Sequence, residues 1–133
     1  MSLNAYRRVM QEAASPREAE RQIMLRLTSA MAQFVDHFSA AEPSVQMQIL
    51  NDGLRDALAQ NLKFWMALRV DLISPENTLA PALRADLISL SVFVEKTTAA
   101  VMGGRSGLEA LISTNNSIID GLAGLASSAA LEA

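Results

Sequence analysis

The sequence predicts an all-α protein, an irregular bundle of four to five helices. Three observations carry this. Apolar residues recur at intervals of three and four along every segment, and none shows the two-residue alternation of a half-buried strand. Proline and glycine fall between those segments, where helices start and stop. The chain has 133 residues, 50% of them hydrophobic, enough for one domain with its own core.

The first stripe is short: Tyr6, Val9, Met10 and Ala13. Ser15-Pro16-Arg17-Glu18 then supplies a helix start. Ser15 accepts from a free amide, Pro16 lacks the amide that the first turn would orphan, and Glu18 reaches back in a capping box. Ile23, Leu27, Met31, Phe34, Val35 and Phe38 continue the period, so this helix is expected to bury one face over about four turns, ending at Glu42-Pro43. Ser44 is the expected cap of the next helix, whose stripe runs Met47, Leu50, Leu54, Leu58, Leu62, Trp65, Leu68, Leu72. Gly53 interrupts it at roughly 1 kcal/mol relative to Ala, which predicts either a kink or two helices.

Ser74-Pro75-Glu76-Asn77 has turn chemistry, since Pro presets one dihedral and Asn tolerates a left-handed one. From Pro81 the stripe Leu83, Leu87, Leu90, Val94, Thr98, Val101 predicts a helix antiparallel to the preceding one, closed by Gly103-Gly104. A last helix carries Leu108, Leu111, Ile112, Ile118, Ile119 and Leu122. Residues 1–124 are expected to form the single domain and 125–133, rich in small residues, a frayed C-terminal tail.

Composition narrows the function. The chain has no cysteine and a single histidine, His37, so disulfides and thiolate metal sites are excluded and no metal or cofactor is expected. No apolar run approaches the roughly 18 residues of a membrane span, and no apolar segment follows Arg7 and Arg8, which predicts a cytoplasmic location. The formal net charge is -3, which provides no global field for phosphates. The charge is uneven. Up to Arg26, five arginines face three glutamates for a net +2, while the remaining six basic and eleven acidic residues give -5. A basic strip of Arg7, Arg8, Arg17, Arg21 and Arg26 would suit RNA, but the arginines alternate with glutamates at helical spacing, as in Arg17 with Glu20 and Glu18 with Arg21, the pattern of a solvated helix face.

Catalysis finds no support in this inventory, and the expectation is that the protein is not an enzyme. His37 has no nucleophile at helical spacing, and Gly103-Gly104-Arg105-Ser106-Gly107 lacks the Lys-Ser/Thr and preceding strand of a phosphate loop. Seven methionines raise the question of partner binding, although Met24 and Met31 fall within an apolar run and read as core. Trp65 also reads more readily as core than as interface, while Phe64 and Met66 beside it leave an apolar side for a partner. Asp71 and Arg84 flank the Pro75 turn; an ion pair or a loop clamp is preferred there to direct partner contact.

The middle of the chain has a recognisable wording. Asn61, Trp65 and Asp71 precede a loop with Pro75, Asn77 and Leu79, and a helix with Leu83, Arg84, Ala85, Ile88 and Ser89 follows. The start, Asn4-Ala5-Tyr6 with Ser15-Pro16, and the close, Asn115 with Ile118, Gly121 and Leu122, complete an ordered set that resembles the FlaF family of alphaproteobacterial flagellar biosynthesis regulators. One departure is Leu79-Ala80-Pro81, where the family usually places Pro directly after the loop Leu. The resemblance implies a protein that favours flagellin synthesis and export, binds flagellin, and acts in concert with FlbT, a regulator that restrains flagellin translation. It marks Asn61, Trp65, Asp71, Asn77, Leu79, Arg84 and Asn115 as candidate partner-binding or family-motif residues. The expected partner is flagellin, held as an amphipathic helix in a groove, with any effect on flagellin messenger RNA indirect. The alternatives are a direct RNA-binding regulator and a scaffold for FlbT alone.

Overall fold

The computed structural model describes residues 16–132, with side chains described over 18–121. The stripe Tyr6 to Ala13 and the Ser15 cap therefore lie outside the described residues. The elements are α1 (Pro16–Ala32), α2 (Val35–Phe38), α3 (Pro43–Ile49), a π-helical turn (Leu50–Leu54), α4 (Arg55–Ile73), α5 (Pro81–Met102) and α6 (Leu108–Glu132). No described residue is in a strand. The architecture is the expected irregular bundle: α1 lies along α6, α4 pairs with α5 as a hairpin, and smaller contacts of α1 with α4 and α5 with α6 join the two pairs.

The core forms where the four long helices meet. Met24, Met31, Phe38, Leu54, Leu58, Trp65, Val94, Val101, Leu108 and Leu111 are all buried in one cluster. Met24 and Met31 are core, as their place in the apolar run predicts. Met47 and Leu83, assigned to buried stripes by their spacing, are instead exposed; in α3 the buried side chain is Gln46, one position before Met47, and Leu83 sits in the first turn of α5.

The helix expected to run on to Phe38 stops at Ala32. A tight bond from Phe34 N–H to the Met31 carbonyl (3.1 Å) breaks the α-helical register, and the single turn α2 follows. This break lets Phe38 enter the core while its carbonyl accepts from the buried Gln46 side chain at 3.1 Å. The α3 start is also revised. Glu42 is the extended N-cap residue and Pro43 opens the helix, so Ser44 is already inside it; proline suits the first position because it has no amide to orphan.

Gly53 produces a kink, with φ 138° inside the π-helical turn that joins α3 to α4. An L side chain is strained at that φ, and a Cβ there would lie 3.1 Å from the Phe34 ring. Phe34 thus packs against the bare backbone of Gly53. Gly53→Ala is expected to destabilise by of order 1–3 kcal/mol, read as a lower urea midpoint with an unchanged denaturant slope; a midpoint equal to or above wild type would contradict it.

At the far side, the Ser39 hydroxyl donates to Glu109 at 2.7 Å and ties the end of α2 to the first turn of α6. That bond, helped by the helix-terminal backbone N–H of Glu109, holds its carboxyl below the ordinary carboxylate range against a small desolvation effect. A depressed carboxylate pKa stabilises the fold above that range, and the contribution is lost as pH falls through it.

Candidate partner-binding groove

The deepest polar feature is a junction of three helices. The Trp65 indole N–H donates to Asn115 Oδ1 at 3.0 Å, and the Asn115 amide donates to Asn61 Oδ1 at 2.8 Å and to Thr28 Oγ1 at 3.0 Å. Thr28 in turn donates to the Met24 carbonyl at 2.6 Å. Asn61, Trp65 and Asn115 are 0% exposed. Trp65 therefore belongs to the core.

Donor chemistry dictates the orientation of both amides. Indole N–H only donates, so the oxygen of Asn115 must face it; the Asn115 nitrogen then needs acceptors, which Thr28 and the oxygen of Asn61 supply. The remaining nitrogen of Asn61 is buried without a partner. Flipping either amide would set two donors against each other, so the orphan is the cheaper arrangement. Thr28 was not singled out in the sequence, although a hydroxyl between Met24 and Met31 on a buried stripe was the available signal.

Asp71, Asn77 and Leu79 also come together. The Asn77 amide donates to the Asp71 carbonyl at 3.2 Å and approaches its carboxylate at 3.5 Å, while Asn77 Oδ1 accepts from the Leu79 N–H at 3.0 Å. Asn77 is the clamp of the α4–α5 turn, an Asx turn fastened to the end of α4. Of the two roles expected of Asp71 and Arg84, the loop clamp is made through Asp71 and Asn77, and among the described residues the ion pair across the hairpin is Arg69 with Glu95 at 3.2 Å, with Arg69 also donating to Ser91 at 2.8 Å. The turn has seven residues from Ser74 onward, and Arg69 and Glu95 face each other deeper in the hairpin, where the helices are in contact. Arg84 is half-buried in the first turn of α5.

Above the junction lies a groove of about 300 Å³ between α1 and α4. Its apolar lining is Ile23, Leu27 and Ala30 from α1 with Phe64 and Ala67 from α4, and Arg26, Gln60 and Lys63 edge it. Trp65 points into the core while its neighbour Phe64 lines the groove, one helical step away. The junction ties the two groove-bearing helices together: Thr28 of α1 and Asn61 and Trp65 of α4 all bond to Asn115 of α6, although none of the four lines the groove. Asp71, Asn77, Leu79 and Arg84 lie apart from it, at the α4–α5 turn.

Among the described residues, no group of three or more histidine, cysteine, aspartate or glutamate side chains is placed to hold a metal, and no helix is long and apolar enough to cross a membrane. The family model described as "Flagellar protein FlaF" matches residues 2–122. No curated protein and no solved structure matches the chain.

Proposed function

The chain belongs to the FlaF family of flagellar proteins, and from that premise we propose that it binds flagellin in a chaperone-like manner, favouring flagellin synthesis and export. The observation that carries this reading is the α1–α4 groove, apolar along two helical turns and framed by the buried Asn61–Trp65–Asn115 junction. Helix-in-groove recognition needs such a surface: rigid walls, and side-chain pockets at the spacing of an amphipathic helix. An aggregation-prone segment of flagellin buried there would be kept from polymerising before export. FlbT, the translational regulator associated with the family, is the second expected partner, and effects on flagellin messenger RNA would follow through it.

The RNA-binding alternative would use the arginine strip up to Arg26, in which Arg21 is held by Glu18 at 3.4 Å and Arg26 is exposed, while Arg7 and Arg8 lie outside the described residues. Isothermal titration with flagellin at several temperatures and two salt concentrations separates the readings. Groove binding is expected to show a negative heat-capacity change and a shallow salt dependence. Phosphate contacts would instead weaken steeply as salt rises. Absence of flagellin binding, together with tight and salt-sensitive binding to flagellin messenger RNA, would overturn the chaperone reading.

A further inference from the structure

We propose that the α1–α4 groove selects a helical segment whose apolar stripe is flanked by carboxylates, and that Arg26 and Lys63 are the side chains that read those carboxylates. This rests on the reading that the groove is where flagellin docks, and adds the chemistry of the docked segment.

The two cations are placed unlike the protein's other described basic residues of the same helices. Arg21 is engaged with Glu18, Arg69 with Glu95 and Ser91, and Arg55, which has no ion pair among the described residues, with the Met47 sulfur at 3.8 Å. Arg26 and Lys63 are exposed and make no ion pair or hydrogen bond among the described residues. Their own helices offer none: three and four positions away from Arg26 stand Gln22, Ile23, Ser29 and Ala30, and from Lys63 stand Ala59, Gln60, Met66 and Ala67. Helix-surface ion pairs form at those spacings, so neither cation has a carboxylate of its own helix to pair with. The groove lining contains no acidic residue at all. In a chain of net charge -3, an acidic segment is repelled by most of the surface and attracted at this edge.

Size and shape limit the occupant. Ile23 to Ala30 is eight residues of helix, about 10 Å from end to end, which accommodates two turns of a partner helix. Its apolar residues would enter between Leu27 and Phe64, with Arg26 on one wall and Lys63 on the other reaching its flanks. Rim charges of this kind act mainly on encounter rate and on partner choice, and apolar burial supplies the remaining affinity.

The test uses the full chain with flagellin and with two synthetic helical peptides that share one apolar stripe, flanked by Glu in one and by Lys in the other. The Glu-flanked peptide is expected to bind the wild type more tightly. R26E/K63E should invert that preference and weaken flagellin by roughly three- to tenfold at low salt, an effect that shrinks as salt is raised, while the exposed sites leave the melting temperature unchanged. R26Q/K63Q should fall between. If flagellin binds wild type and R26E/K63E equally, the charge reading is overturned and the chaperone reading stands. If flagellin fails to bind but the Glu peptide is preferred, the reverse holds. Binding of neither peptide, displacement of the Glu peptide by single-stranded RNA, or self-association lost in R26E/K63E would each overturn the proposal.

Discussion

Trp65→Ala is expected to lower the unfolding free energy by roughly 3 to 5 kcal/mol, the largest loss of any single substitution considered. The indole is 0% exposed and packs in the cluster that joins the four long helices. Truncation leaves a cavity beneath the groove and also orphans the Asn115 oxygen it bonds. Urea denaturation should show the loss as a lower midpoint. Trp65→Phe separates the two contributions, because it keeps most of the ring while removing the donor. Its cost should fall to about 1–3 kcal/mol, the range for one unsatisfied buried polar group, with some loss of packing. A Trp65→Ala variant that melts near wild type yet loses its partner would contradict the core assignment.

Asn115→Ala should follow at about 2 to 5 kcal/mol, since it strands both the Trp65 N–H and the Asn61 oxygen in a site without water access to replace them. Asn61→Ala is expected to cost less, although the two asparagines are equally buried. Asn61 carries a nitrogen that has no partner, and removing it relieves a desolvation penalty that Asn115 does not bear. The order of the two is therefore the sharper test: Asn61→Ala more damaging than Asn115→Ala would contradict the placement of the unpartnered nitrogen on Asn61. A double-mutant cycle of Asn115→Ala with Trp65→Phe should show a coupling of about 0.5–3 kcal/mol, as expected of directly bonded residues. Asn115→Ala should also weaken flagellin at temperatures where it remains folded, because the spacing of α1 and α4 is set through Asn115.

Helical period and turn residues made the bundle, the α4–α5 hairpin and the core roles of Met24 and Met31 legible without coordinates. The kink at Gly53 was legible as one of two outcomes. Among the candidate residues, Trp65 was legible as core from its stripe, whereas Asn61 and Asn115 were marked only by the family resemblance, because spacing within a helix says nothing of a partner fifty residues away. Asp71 and Asn77 were marked in the same way, and their clamp has a local signal in turn chemistry. The break at Gln33–Phe34 had no local signal, as neither residue is a helix breaker. The Arg26–Lys63 edge was legible in principle: two cations without a carboxylate three or four positions away are a pattern in the sequence, but only the structure brings them to one groove.

Local physics thus determined the elements. Periodicity, proline without its amide and asparagine in a turn act within a few residues, and they specify an all-α chain and the position of most helix ends. Tertiary contact decided the rest, and it decided even the sign at Gly53. Read as a helix interior, that position favours Ala over Gly by roughly 1 kcal/mol; with φ 138° and the Phe34 ring against it, Gly is favoured instead. The same holds for the junction. Thr28, Asn61, Trp65 and Asn115 become one hydrogen-bonded unit only when three helices bury them together, since a polar group deprived of water must find its partner wherever packing has placed one.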